Sequence, residues 1–168
     1  KKIQVRALQG IGMAKGYMNQ YQEALKIFEQ TMTLAERKGS RKLCLTSHYW
    51  IGYAYHHLGD NERAIEHWEK SLTLALKADD THNATIVCRR LGHAWSALGE
   101  HAKAADYCQR ALSMATEADD KHSQCEAYHR LGIACEGLGE RQKAIAHHEK
   151  ALQIALELGS TSFEECVY

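Results

Sequence analysis

Eleven histidines and six cysteines give this 168-residue chain its most obvious capacity for metal chemistry. Cys125 and His129 lie four residues apart, and histidines are adjacent at positions 56–57 and 147–148. A zinc site needs about four converging ligands, usually supplied as two short-spaced pairs. No second pair accompanies Cys125 and His129 at such a spacing. We therefore expect no metal site and no other cofactor.

Catalytic motifs are missing from the sequence. It contains no glycine-rich phosphate loop, no nucleophile elbow and no H-E-x-x-H segment. A function has to be argued from a site, and this sequence offers none of the usual catalytic ones. We therefore expect that the protein is not an enzyme.

The charge balance narrows the class of partner. Lys plus Arg and Asp plus Glu both number 21, so the net charge is zero, whereas nucleic-acid-binding proteins usually carry a basic excess. No apolar run is long enough to cross a bilayer. The cysteines show no C-x-x-C spacing, which favours reduced thiols. We expect a cytoplasmic protein without nucleic-acid or membrane partners, associated with the cytoskeleton or cortex only through another protein.

The elements that must carry any binding residues recur every 40 positions. Glycines at four equivalent places are followed by alanines twelve residues later: Gly12, Gly52, Gly92 and Gly132, then Ala24, Ala64, Ala104 and Ala144. A glycine inside a helix costs about 1 kcal/mol relative to alanine, so four in register indicate close helix packing. The spacing predicts repeats over residues 1–39, 40–79, 80–119 and 120–159. Residues 160–168 are predicted to start a further helix or a capping segment of what we expect to be a fragment.

Each repeat has the pattern of two helices. In the third repeat Leu91, Ala94, Trp95 and Leu98 are spaced as one apolar face. The first helices are predicted to end at residues that tolerate a left-handed backbone, namely Asn19, Gly59, Gly99 and Gly139. N-caps are predicted at Ser40, Asp60, Asp80, Asp120 and Ser160. Core packing is predicted for Phe28, Tyr55, Trp68 and Trp95.

The order of these residues resembles the tetratricopeptide repeat. The fourth repeat shows it in Leu131-Gly132-x-Ala134, Leu138-Gly139, Ala144 and Ala151-Leu152. The usual period is about 34 residues, and the proline that commonly closes the second helix is replaced by Glu36, Leu76, Thr116 and Leu156. The resemblance covers about residues 2–158. It implies an all-α fold, a right-handed superhelical array (an α-solenoid) of four helix-turn-helix hairpins.

The long period is similar to that of LGN/Pins-like scaffold proteins. Those repeats often carry an asparagine directly after the L-G pair, where it holds a bound peptide backbone. Here the same places hold Met13, Tyr53, His93 and Ile133. HEAT repeats have a comparable period but lack this glycine and alanine register. The resemblance therefore implies a non-catalytic scaffold or adaptor without identifying its partner.

The family resemblance also implies that the first helices line a concave groove. On that basis, the candidate binding residues are Tyr49, Trp50, Tyr53, His56, Arg89, Arg90, His93, His129 and Arg130. Arginine binds carboxylates in a two-point manner, and aromatic rings supply rigid contact area. We therefore expect an extended or helical partner segment with acidic side chains. Reversing the charge at Arg89 and Arg130 is expected to abolish binding without unfolding the array.

Two alternatives remain open at this level. The three arginines could pair with Glu126 and Glu136 on neighbouring helices and bind no ligand, since ion pairs are common on protein surfaces. The whole chain could also be a structural or self-associating segment of a larger assembly, such as a cytoskeletal or polarity complex. In that case the array ends or the convex face would make the contacts.

Overall fold

The computed structural model describes residues 2–159, and their side chains from residue 5 onward. This part of the chain folds into eight α-helices and contains no β-strand, as the all-α prediction requires. The helices are α1 (Lys2–Tyr17), α2 (Tyr21–Arg37), α3 (Arg41–His57), α4 (Asn61–Leu76), α5 (Thr81–Ala97), α6 (His101–Glu117), α7 (Lys121–Gly137) and α8 (Arg141–Glu157). The predicted segment 160–168, with its Ser160 cap, lies outside the described residues.

The helices group into two compact units. The first unit, Lys1–Asp79, contains α1 to α4, and the second, Asp80–Tyr168, contains α5 to α8. Within each unit every helix packs against the next one along the chain. Each unit is therefore a stack of two helical hairpins.

The glycines in register lie where two helices approach closely. A Cβ atom added at Gly52 would come within 2.7 Å of the Trp68 ring and 3.0 Å of the Ala64 carbonyl oxygen. An added Cβ at Gly132 would likewise collide with the His148 ring. Close helix packing, which the repeated glycines predicted, is thus the geometry of both units.

Most of the predicted turn and cap residues lie at the helix ends of the structure. Asn19 and Gly59 adopt positive φ angles of 59° and 84° at the ends of their helices. The side chains of Asp60, Asp80 and Asp120 each accept a backbone hydrogen bond at the start of a helix. Ser40 precedes α3 as predicted, but its side chain makes no capping hydrogen bond.

The core confirms some of the predicted packing residues and corrects others. Phe28 and Trp68 are fully buried, at 1% and 0% exposure. Tyr55 and Trp95 are only half-buried, and the Trp95 ring lies 4.3 Å below the ammonium group of Lys103. Leu98, predicted on the apolar face, is 39% exposed because it is the C-cap residue of α5, where the chain turns into solvent.

Candidate partner-binding surfaces

A continuous row of rings crosses the first unit, and we call it the aromatic surface: Tyr17, Tyr21, Trp50, Tyr53 and His57. The Trp50 ring meets Tyr17 edge-on at 6.2 Å and Tyr53 at 5.4 Å, measured between centroids. His57 lies 4.3 Å from Tyr53 and stacks on Tyr21 at 4.6 Å with nearly parallel planes. The α3 members share one helix face because their spacing follows the helical period.

The aromatic surface has one exposed end and one anchored centre. Tyr17 is 69% exposed, whereas Trp50 is half-buried and stacks on the core residue Phe28 at 5.8 Å with an interplanar angle of 13°. Rings held on one side by the core offer rigid contact area on the other, which is the usual make-up of a strong protein contact.

The remaining predicted residues of the first unit lie next to this row. The Tyr49 ring meets Trp50 edge-on at 5.2 Å, and its carbonyl oxygen accepts a 3.0 Å hydrogen bond from the Trp68 indole N–H. His56 donates from Nδ1 to Asn61 Oδ1 at 2.6 Å. The structure therefore brings the rings of Tyr49, Trp50 and Tyr53 into contact and places His56 beside His57.

Sequence reasoning missed three members of the aromatic surface. Tyr17 and Tyr21 belong to the turn region between α1 and α2, and His57 is one residue beyond the predicted inward position. A face formed by three helices has no single period along the chain, so these rings could be found only through tertiary contacts. They bring the aromatic surface from two predicted rings to five.

The second unit carries a charged cluster, which we define as Arg89, Ser123, Glu126 and Arg130. One Arg89 guanidinium nitrogen lies 2.7 Å from a Glu126 carboxylate oxygen, and another donates to Ser123 Oγ at 3.1 Å. Arg130 lies 4.0 Å from the second Glu126 oxygen. Arg89 and Glu126 are buried, at 9% and 7% exposure.

This geometry agrees with the alternative of internal pairing for Arg89 and changes the expected effect of reversing its charge. A glutamate at position 89 would bury a second carboxylate beside Glu126, so the unit would lose stability. Glu136, also considered as an arginine partner, instead lies 3.4 Å from His148 Nε2. Two guanidinium groups share the Glu126 carboxylate, and the Asp120 carboxylate accepts a hydrogen bond from the backbone of the cluster member Ser123.

The other predicted residues of the second unit are Arg90, His93 and His129. Arg90 and His93 are half-buried on α5. The His129 ring lies 5.3 Å from that of His148. Burial, followed by the positive charge of Arg130, lowers the pKa of His129 to about 4. His129 is therefore neutral at pH 7, and the basic character of this face comes from its arginines.

Two familiar features are absent from the described residues. Across residues 2–159, no three His, Cys, Asp or Glu side chains come together as a metal-binding group. None of the helices in the same range has the length and apolar character needed to cross a bilayer.

Sequence models of known families match most of the chain. Three models described as tetratricopeptide repeat match residues 5–38, 46–77 and 88–157. No curated protein matches the sequence significantly.

Solved structures show the same fold at low sequence identity. BtubC (BKLC) from P. vanneervenii is 16% identical and has a TM-score of 0.85, with 94% of this chain and 65% of that chain covered. Aspartyl phosphate phosphatase F from Bacillus subtilis is 18% identical, with a TM-score of 0.89 and coverage of 95% and 42%. The tetratricopeptide domain of Arabidopsis FLU is 22% identical, with a TM-score of 0.67 and coverage of 70% and 98%. The chain thus spans less than two thirds of the first two relatives.

Proposed function

Because this chain belongs to the tetratricopeptide repeat family, we propose that it is a non-catalytic scaffold or adaptor. It binds a segment of another protein on the face lined by the first helices of its repeats. The observation that carries this proposal is the aromatic surface, a row of five rings with an exposed end at Tyr17 and a core-anchored centre at Trp50.

The aromatic surface suits an extended or helical segment that inserts apolar side chains. Its rings contact one another, so little side-chain freedom remains to be lost when a partner binds. Aromatic rings that are held in place beforehand are typical of the residues that dominate binding energy at protein interfaces. Polar edges at Tyr53 and His57 could in addition orient the partner backbone.

We propose further that the partner segment is acidic, since the charged cluster contains the guanidinium groups of Arg89 and Arg130. Arg89 is fixed by Glu126 and acts as a positioning residue. Arg130 is 13% exposed and lies farther from Glu126, so it is the better candidate to meet a partner carboxylate. A guanidinium group held in place by a buried carboxylate keeps its donor geometry ready for a second acidic group.

The proposed setting is the cytoplasm, where a partner would place the protein at the cytoskeleton or the cortex. Supporting this, the cysteines of the described residues are free thiols, and Cys88, Cys108, Cys125 and Cys135 are buried. Neither nucleic acid nor a membrane is part of the proposal, since the chain has no net basic charge.

Selection from a displayed peptide library followed by calorimetry tests this function. We expect selected peptides to carry apolar anchors and acidic residues. Tyr17→Ala and Arg130→Gln should each weaken binding by about tenfold or more, as loss of a dominant contact does. Trp95→Ala and Arg110→Gln are the controls, because they alter the same residue classes outside the aromatic surface and the charged cluster.

The outcomes separate the two parts of the proposal. Peptides that lose affinity with Tyr17→Ala but not with Arg130→Gln would support the scaffold function and contradict the acidic preference. A library without binders, or binders indifferent to both variants, would contradict the function itself. Circular dichroism of every variant confirms that the helices are intact.

A second candidate, a structural segment of a larger assembly, is favoured by one feature of α8. Ile145 and Leu152 are 58% and 49% exposed, whereas the equivalent Ile65 and Leu72 in α4 are buried at 6% and 5%. An apolar helix face of this kind could stack on another helical hairpin. Light scattering over a range of concentrations distinguishes the candidates, since a mass that grows with concentration supports assembly and a constant mass supports the adaptor.

A further inference from the structure

A pair of histidines inside the second hairpin belongs to neither binding surface. His48 on α3 and His67 on α4 face each other with their Nδ1 atoms 3.0 Å apart and their ring centroids 5.1 Å apart. Both side chains are half-buried. The pair cannot be recognised from ligand spacing along one helix, because its members lie 19 residues apart on two helices.

Packing of the hairpin does not require two imidazoles at this place. The equivalent pairs of the other repeats are Leu8 and Ile27, Cys88 and Tyr107, and Tyr128 and His147. The last of these brings its two rings to 6.0 Å, but it offers a single imidazole. Aliphatic, thiol and phenol side chains all fill the same position, so the facing histidines are a chemical feature of the second hairpin alone.

The distance between the two nitrogens is the one that a shared metal ion needs. With metal–nitrogen bonds of about 2.0–2.1 Å, two ligands lie about 2.9 Å apart at a right angle and about 3.4 Å apart at the tetrahedral angle. The observed 3.0 Å falls within this range. Because the two helices of the hairpin hold both rings, the ligands need only small adjustments.

An open cavity gives His48 access to solvent. The cavity has a volume of about 640 Å³ and is lined by His48, Glu66, Glu69, Lys70, Thr73 and Leu74. The carboxylates of Glu66 and Glu69 would partly offset the charge of a cation, while the ammonium group of Lys70 opposes it. The space is sufficient for water molecules to complete the coordination shell.

Metal binding requires one change of tautomer. The hydrogen bond between the two Nδ1 atoms places a proton on one of them. Both Nδ1 atoms can coordinate once that proton lies on Nε2 of the same ring.

We propose that His48 and His67 form a two-histidine site for a divalent late transition metal such as Zn²⁺, with water in the remaining positions. Imidazole is a preferred ligand of Zn²⁺, Ni²⁺ and Cu²⁺. The site has two protein ligands, in keeping with the lack of any three-ligand group among residues 2–159. The bound ion links α3 to α4 and stabilises the second hairpin. Affinity is lower than that of a four-ligand structural site.

Titration of the whole chain with ZnCl₂ tests this site. We expect saturable binding of about one equivalent and a rise in the melting temperature. The variant His48→Leu/His67→Ile carries the pair of the first repeat and should keep the fold. Its Zn²⁺ affinity should fall by about tenfold or more, and the zinc-dependent rise in melting temperature should vanish. The control His82→Gln/His122→Gln removes two exposed histidines and should behave as the parent protein.

Two results would overturn the site. One is the absence of saturable Zn²⁺ binding by the parent protein, and the other is equal binding by the double variant. Nuclear magnetic resonance of the parent protein covers the case in which the double variant unfolds. Substoichiometric Cu²⁺ should broaden the ring signals of His48 and His67 before those of other histidines. Earlier broadening at His147 and His148 would assign the metal elsewhere.

Discussion

The two units place different chemistry opposite the same small residue. Gly52 faces Trp68, which is fully buried and donates its indole N–H to the Tyr49 carbonyl. Gly132 faces His148, whose side chain is 31% exposed and lies 3.4 Å from Glu136. The glycine permits the close approach of two helices in both cases. The residue across from it decides whether the junction is an aromatic core or a polar contact.

The surfaces of the two units also differ, in that one is aromatic and the other is charged. The first unit offers the aromatic surface, and the second offers the charged cluster with its buried pair of Arg89 and Glu126. Aromatic rings supply contact area, whereas a buried ion pair fixes side-chain positions and adds little net affinity. The same repeat architecture therefore carries clustered aromatic rings in one unit and a buried ion pair in the other.

Truncating the side chain that faces each glycine, Trp68 or His148, should give the largest difference in stability between the two units. Trp68→Ala is expected to lower the free energy of unfolding by about 4 kcal/mol, because it opens a cavity in the core. His148→Ala should cost less than about 1 kcal/mol, since that side chain is partly solvated. Urea unfolding followed by circular dichroism measures both. Equal losses would show that the two junctions are energetically alike.

Breaking the buried ion pair of the charged cluster should have the next largest effect. Arg89→Met leaves the Glu126 carboxylate with only the more distant Arg130, and we expect a loss of about 3 kcal/mol in the free energy of unfolding. The double variant Arg89→Met/Glu126→Leu should regain most of it, because no charge then stays buried. A double variant as unstable as the single one would refute the pairing as the cause.

Replacing each of the two glycines with alanine compares how tightly the helices pack in the two units. In Gly52→Ala the new methyl group meets the rigid Trp68 ring and the Ala64 carbonyl, so we expect a net loss of about 2 kcal/mol despite the better helix propensity of alanine. In Gly132→Ala the His148 ring can turn towards solvent, and the net change should be close to zero. Chemical denaturation of the two variants side by side measures the difference in the free energy of unfolding. A larger loss of stability in Gly132→Ala than in Gly52→Ala would contradict the proposed rigidity of the Trp68 ring.

Acid should weaken both units through their half-buried histidines. The pKa values of His48 and His129 are lowered to about 4, so the unfolded chain binds protons at a higher pH than the folded one. Stability is therefore full above about pH 6.5 and falls as the pH drops towards 4. Between pH 6.5 and 5 we expect a loss of about 1 kcal/mol for each, after allowance for solvent screening. His48→Leu/His67→Ile should reduce this pH dependence, as measured by urea midpoints at the two pH values.

The helix caps should give the smallest effects. Asp80→Ala removes a side-chain cap of α5 and should cost about 1 kcal/mol, whereas Ser40→Asp adds the missing cap of α3 and should gain roughly half as much. Thermal melting of the two variants would show shifts of opposite sign. A higher melting temperature in Asp80→Ala would show that the cap hydrogen bond of Asp80 does not stabilise α5.

Features that depend on neighbouring residues could be predicted from the sequence. The helical period, the left-handed turn at Gly59 and the cap at Asp80 all rest on the chemistry of a few consecutive residues, and the structure agrees with them. The exposure of Leu98 was predicted wrongly. A periodic apolar residue at the last turn of a helix has nothing beyond it to pack against, and this depends on how the chain leaves the helix.

The candidate sites were only partly predictable for the same reason. Tyr53 and Arg130 were predicted by analogy with the repeat family, and their role in binding stays a prediction. The stack of Tyr21 on His57 and the pairing of His48 with His67 were not, because each joins residues of different helices. A contact between helices depends on their separation and rotation, which no local pattern contains.

The sequence by itself therefore determined the repeated helical hairpin, since glycines in register and apolar residues at helical spacing leave few other ways to bury the core. Only the tertiary structure decided which side chains meet across the hairpins. It made Arg89 a partner of Glu126, assembled the aromatic surface from three helices and brought two histidine nitrogens to 3.0 Å. The reason is physical, since burial and pairing depend on distances in space between residues that lie far apart along the chain.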